Sequence, residues 1–190
     1  MLSSAESPES LRHAFFEDLQ TQLVEVATDH AMVHAGVVAF ANRAVVIPGA
    51  SHSGKTTLVA ALVEAGGTYY SDEHAVVGAD GRIDPFPRPL LFRDPLYFAD
   101  PYDGFKVGID AVKAHMVVLT SFESGASWRP QRIRPADALM AVLAHSLTIR
   151  SRPAVTLRAL RTLVSSATSY SGARGDARET ASMIVDRLAG

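Results

Sequence analysis

Pro48-Gly49-Ala50-Ser51-His52-Ser53-Gly54-Lys55-Thr56-Thr57 is the stretch on which the reading of this chain turns. A short β-prone run, Ala44 to Ile47, precedes it. A helix is predicted from Lys55 to Ala65, where Gly66-Gly67 stops it as C-terminal glycines do. Between a strand and a helix, glycines let the backbone curl so that successive N–H groups converge as an anion nest. The helix adds its unpaired amides and the positive end of its dipole. The string fits the Walker A pattern, in which the lysine reaches the β- and γ-phosphates and the following hydroxyl ligates Mg²⁺. The expected nucleotide-binding set is therefore Gly49, Ala50, Ser51, His52, Ser53, Gly54, Lys55, Thr56 and Thr57. His52 occupies a free loop position, where an imidazole either touches phosphate or faces solvent.

Working downstream, chain lengths say where an acid returns to that loop. Eleven helical residues from Lys55 cover about 16 Å. A strand from Thr68 to Asp72 returns about 13 to 16 Å. Ser71-Asp72-Glu73 thus comes back to the level of the loop. Acids there can hold Mg²⁺ or take a proton from an attacking hydroxyl, and two neighbours can divide those roles. The plain alternative is a solvated strand end.

Elsewhere the pattern is coarser. Ser7-Pro8 opens an amphipathic helix carried by Leu11, Phe15, Leu19, Leu23 and Val26 and ending near Thr28. Val33 to Phe40 and Ala44 to Ile47 read as a hairpin turning at Asn42-Arg43. His74 to Val77 is a strand, and Asp80-Gly81 turns it toward Ile83. Pro85, Pro87, Pro89 and Pro95 forbid a helix and imply an extended segment lining the surface. Asp94 to Gly108 reads as a long loop. His115 to Phe122 is a buried strand, and helices follow at Arg134–Leu147, Val155–Ala167 and Arg178–Leu188, with Tyr170–Asp176 a short connection. The layout predicts an α/β fold with a mixed sheet and a helical C-terminal region.

Composition narrows the function classes. At 190 residues, 47% hydrophobic and 20% charged, the chain is long enough for one globular domain of ordinary size. The expected organisation is one unit over 1–190: an N-terminal helix at 1–30, a nucleotide-binding sheet core at 31–122, and a helical part at 134–190. No cysteine is present, which excludes disulfides, thiolate zinc and cysteine nucleophiles. A net charge of −2 argues against a nucleic-acid or anionic-membrane partner. Met1 to Pro8 carries no signal-peptide pattern and no apolar run approaches a membrane span, so a cytoplasmic setting is expected. Trp128 with Arg129, Arg132 and Arg134 reads as a solvated loop. Of the 18 basic residues only Lys55, Lys106 and Lys113 are lysines.

The sequence His34-Ala35-Gly36-Val37-Val38, a hairpin, Gly49 to Thr57, then Tyr70-Ser71-Asp72-Glu73 resembles the catalytic domain of HPr kinase/phosphorylase and its small relatives. The likeness runs from about Val33 to Arg93, including Pro85-Phe86-Pro87-Arg88-Pro89, and is loose beyond. It implies a P-loop fold of the phosphoenolpyruvate carboxykinase type. It also implies that His34 lies near the transferred phosphate, that Lys55 and Thr56 contact phosphate and metal, and that Asp72 and Glu73 supply the general base and the metal site, with Asp72 a metal ligand. Glu73 stands where the family has a second Asp, and His52 where it has a loop glycine. The family's downstream metal-binding Glu has only Glu123 as a nearby candidate. Arg88 and Arg93 are candidate guanidinium groups for the equatorial phosphate oxygens, or surface charges beside prolines.

The expected activity is an ATP- and Mg²⁺-dependent phosphotransfer to a hydroxyl, the acceptor class being a serine of a protein or peptide, with Asp72, Glu73, Lys55, His34 and Arg88 as catalytic residues. The alternatives are a nucleotide-binding regulatory module with little catalysis and a nucleoside triphosphatase. Homo-oligomerisation stays open.

Overall fold

The computed structural model describes residues 26–50, 53–93, 96–99 and 104–189, with positions 11, 14, 15, 18, 19 and 22 of the N-terminal segment. Strand β1 (Ala31–Phe40) organises the rest. Its side chains alternate between two apolar layers, as a period of two demands. Ala31, Val33, Ala35, Val37 and Ala39 join one core, and Val38 joins the other. β1 turns through Ala41 and Asn42, both at positive φ, into the antiparallel β2 (Arg43–Pro48). That is the backbone a two-residue hairpin needs.

On its other edge β1 is lined by two strands end to end, β3 (Thr68–Ser71) and β4 (His74–Val77), both antiparallel to it. Asp72 and Glu73 fill the break between them. β4 turns at Asp80-Gly81 into β5 (Arg82–Asp84). β8 (Val112–Leu119) runs parallel to β2 and also pairs with β5, so β2, β1, β4, β5 and β8 close on one another. β9 (Gln131–Ile133) and β10 (Thr168–Ser171) extend the sheet from β8, β10 parallel to it. A separate two-stranded ribbon joins β6 (Leu90–Arg93) to β7 (Leu96–Ala99).

Among the described residues four helices cover the mixed sheet, two to a face. α1 (Lys55–Glu64) and α4 (Ala177–Ala189) bury Leu58, Leu62, Ile184 and Leu188 against Val45, Ile47, Met116 and Val118. α2 (Pro135–Ala144) and α3 (Pro153–Ser166) bury Ala138, Val142, Leu160 and Leu163 against Val46, Val117 and β1. Both open on a proline, which fits the first turn because its missing N–H has no partner there. None of the helices among the described residues is long and apolar enough to cross a membrane.

The structure departs from the sequence-based reading in four places. Asp94 to Gly108 is not wholly a loop, because Leu96–Ala99 pairs with Leu90–Arg93. The proline-rich stretch lines the surface only in part: Pro85, Phe86, Pro87 and Pro89 are half-buried, but Arg88 and Leu90 are buried. Trp128 is 1% exposed in the α1/α4 core, with the Arg187 guanidinium over its ring, and Gln131–Ile133 is an edge strand. Tyr170 lies in a strand, so the C-terminal part is not purely helical. The described N-terminal positions are helical, yet Leu11, Phe15, Leu19 and Val26 are between 38 and 72% exposed. Ser7, Pro8 and Leu23, and Ser51, His52 and Pro95, lie outside the described residues.

Candidate active site

The loop after β2 enters α1 at Gly54, whose φ of 79° is left-handed backbone that a glycine adopts without strain. Lys55 is the first helical residue and only 7% exposed. Its stem folds back over the loop so that Nζ donates to the Ala50 carbonyl at 2.8 Å. Burial lowers its pKa, against the pull of Glu73 and Asp72, which favour the charged form. Gly49 N–H donates to the His34 carbonyl at 3.2 Å, tying the loop to β1. Gly36 lets β1 approach the helix behind the loop: a Cβ there would run into Val59.

Asp72 and Glu73 leave the strand line as a bulge. The Ser71 hydroxyl holds it, accepting from the Glu73 and His74 N–H groups at 3.3 and 3.0 Å. Such a serine turn offers the backbone a local alternative to ladder pairing. The Glu73 carbonyl still accepts from Ala35 N–H at 3.0 Å, so the break is confined to about two residues.

The two acids occupy different surroundings. Asp72 is 3% exposed and accepts from Thr56 Oγ1 at 3.0 Å and from the Tyr69 hydroxyl at 3.1 Å. Burial, with the neighbouring Glu73 charge, raises its pKa to about 6. The same burial and the Asp72 charge push the Tyr69 hydroxyl well above its ordinary range, so it stays a donor. Glu73 reaches a more open position and pairs with His34 Nε2 at 2.8 Å. Burial raises its pKa, but the hydrogen bond and charge of His34, with Arg88, outweigh that and bring it to about 2. Because an ionised carboxylate only accepts, Nε2 of His34 carries the proton.

Behind this pair stands His74, stacked on His34 with ring centroids 5.6 Å apart and edge-on to Phe86. Burial drives its pKa down to about 3, so it is neutral at physiological pH. Arg88 is buried close enough that its charge lowers the pKa of both acids, and its carbonyl lies 2.9 Å from the Tyr69 hydroxyl, whose single proton it shares with Asp72. His34, Lys55, Thr56, Asp72, Glu73 and Arg88 therefore share one region. Thr57 lies in the first turn of α1, and Arg93 ends β6. Glu123 is exposed and bonds through its backbone to Arg174.

Three further residues of the region were not legible in the sequence. Tyr69 and His74 read only as strand residues, although their place beside the Ser-Asp-Glu turn was a signal. Arg174 is 2% exposed; its Nη2 donates to the Gly54 carbonyl at 2.8 Å and Nη1 to Gly175 O at 3.1 Å. A Cβ at Gly54 would meet that guanidinium. Nothing local in Gly172-Ala173-Arg174-Gly175 announces this long-range contact.

Among the described residues no group of three or more His, Asp or Glu side chains forms a metal cluster. The Thr56 hydroxyl and Asp72 carboxylate do suit a hard cation, since Mg²⁺ takes one or two protein oxygens and completes its shell with substrate phosphates and water.

No family model matches the chain. No curated protein matches it. Among solved structures it is similar to the HPr(Ser) kinase/phosphatase from Coxiella burnetii, with a TM-score of 0.44 and 14% identity over 83% of this chain and 88% of that one.

Proposed function

We propose that the chain is an ATP- and Mg²⁺-dependent phosphotransferase that moves the γ-phosphoryl group to a hydroxyl of a protein or peptide serine, in a cytoplasmic setting and on a P-loop fold of the phosphoenolpyruvate carboxykinase type over residues 1–190. The observation that carries this reading is the juxtaposition of a buried lysine at a helix N-terminus with two carboxylates of unlike environment.

Each residue takes a role its surroundings favour. The loop from Gly49 to Thr57 holds the phosphates through its amides, and Lys55 exchanges its bond to the Ala50 carbonyl for phosphate oxygens. Thr56 and Asp72 hold Mg²⁺, which when bound neutralises charge on the phosphate oxygens. The raised pKa of Asp72 marks a buried carboxylate whose charge is only partly compensated, and a cation placed there relieves it.

Glu73 meets the acceptor, because it is the more open of the two acids and stays ionised. A carboxylate with a pKa of about 2 is a weak base. Phosphoryl transfer asks mainly for positioning and charge stabilisation, so Glu73 first orients the hydroxyl and takes its proton late, as the serine O–P bond forms and the bond from the γ-phosphorus to the leaving diphosphate breaks. His34 fixes the Glu73 carboxylate through Nε2. Arg88 adds positive charge beside the acids.

The test is transfer of label from γ-labelled ATP with Mg²⁺ to a serine-containing peptide library. Label on peptide, lost in Asp72→Asn, is the expected result. Release of free phosphate alone would make the chain a triphosphatase, and nucleotide binding without turnover would make it a regulatory module.

A further inference from the structure

A cavity of about 460 Å³ opens on the flank of the loop away from the acids, walled by Gly49, Ser53, Leu119, Phe122, Ala141 and His145. It lies where β8, the parallel neighbour of β2, runs out beside the loop. Its volume falls in the range of ordinary small-ligand sites, which are mostly apolar with a few polar groups. Phe122 is 60% exposed although it lines this recess. The Arg174 guanidinium sits 5.7 Å from its ring centroid, and the same guanidinium fastens Gly54 of the loop. Ser53 Oγ and Arg174 Nε are buried with no hydrogen-bond partner. Unpaired buried polar groups are costly, and they occur where a partner is still to arrive.

We propose that this cavity seats the nucleoside of the phosphate donor, with the base stacked on Phe122. The inference rests on the phosphotransferase reading and deepens it. In-line transfer places the attacking and leaving oxygens on opposite sides of the phosphorus. Glu73, which meets the acceptor, stands at the β3–β4 break beside β1, so the leaving diphosphate and its nucleoside extend toward β8 on the other side of β2. There the wall offers an aromatic face, aliphatic side chains, the hydroxyl residues Ser53, Thr120 and Ser121 and the His145 imidazole, a mixture that suits a flat base edged with hydrogen-bonding groups. Arg174 holds the Phe122 platform and the loop in one piece, so base and phosphate subsites keep a fixed spacing.

The test compares ATP with inorganic tripolyphosphate, both with Mg²⁺, by calorimetry on the full chain. The wild-type protein binds both, ATP the more tightly. Phe122→Ala and Phe122→Leu lower ATP affinity about tenfold, as loss of a stacked base does, and leave tripolyphosphate binding unchanged, while Phe122→Tyr restores the wild-type value. Equal losses for both ligands would mark Phe122 as structural and overturn the proposal. Unchanged ATP affinity with weakened binding of the peptide acceptor would assign the cavity to the acceptor and overturn it as well. Failure of the wild-type protein to bind tripolyphosphate sinks the phosphate-loop reading itself, and the nucleoside seat with it.

Discussion

On the β1 side of the glycine loop, His34, Lys55, Asp72, Glu73, His74 and Arg88 crowd together, and Asp72, Glu73 and His74 titrate far from their ordinary ranges. On the β8 side the wall is Leu119, Phe122 and Ala141 with Ser53, Thr120 and Ser121, and the pKa of His145 is lowered by burial and by the nearby His34 and Lys55 charges. One flank is organised by charge and the other by shape. The difference teaches a division of labour: a reacting centre needs groups whose charge responds to the reaction, whereas a handle needs only complementary surface. Substitutions on the first flank should therefore move rate, metal response and pH dependence, and those on the second should move affinity alone.

The largest effect belongs to Lys55, on the charged flank at the start of α1. Lys55→Ala removes a desolvated cation from the phosphates and should cost about 4 kcal/mol of transition-state stabilisation, roughly a thousandfold in rate. Steady-state transfer assays measure it. A rate within tenfold of wild type would mean that the loop is not the phosphate site.

Asp72→Asn comes next, and it separates stability from function. The folded pKa of about 6 lies above the ordinary 3.8, so the folded protein binds more protons than the unfolded chain between those values. Stability is therefore lost as pH rises through that window, reaching about 3 kcal/mol above pH 6. The neutral substitute should raise Tm by roughly 6 to 12 °C at pH 8 without Mg²⁺ and give no gain at pH 3.5. His74, which opposes acidification, acts equally in both proteins, so their difference isolates Asp72. The same variant should lose Mg²⁺-induced stabilisation. A variant no more stable than wild type at pH 8 would mean that the Thr56 and Tyr69 hydrogen bonds already compensate the buried charge.

Arg174 probes the join between the flanks. Arg174→Met keeps much of the buried volume but removes the donor to Gly54, and affinity for ATP and tripolyphosphate should fall together, about tenfold each. This contrasts with Phe122, whose loss should weaken ATP alone. A fall in ATP affinity only would place Arg174 in the base subsite and not beneath the loop.

The same contrast explains what could be read without coordinates. Gly49 to Thr57 and Ser71-Asp72-Glu73 were legible because loop chemistry and chain length are local: one helix out and one strand back fix where the acid arrives. Their unequal environments were not, since nothing in the pair says that Tyr69 and Thr56 close over one carboxylate while His34 meets the other. Thr168–Ser171 was hidden for a different reason. It is short, follows α3 directly, and becomes a strand only because β8 offers a parallel edge. Arg174 inherits that obscurity, as its partner Gly54 lies 120 residues away. Trp128 beside three arginines looked solvated, and only the packing of α1 against α4 reveals a place for its ring.

The smallest effect tests whether the open carboxylate is tuned or merely present. His34→Ala removes the Nε2 donor and the charge that hold Glu73 down, and burial then acts with less opposition. The Glu73 pKa rises, and the titration midpoint of its carboxyl carbon, followed by NMR, should move upward. Near pH 8 Glu73 remains ionised in either protein, and the rate should fall less than tenfold, reflecting lost orientation. Tripolyphosphate affinity at pH 8 should not change, because the bond by which His34 meets the described part of the loop is from Gly49 N–H to its backbone carbonyl, which the substitution keeps. An unmoved Glu73 midpoint would make His34 a packing partner of His74 and leave Glu73 untuned. A loss approaching that of Lys55→Ala would instead place the imidazole on the transferred phosphoryl group.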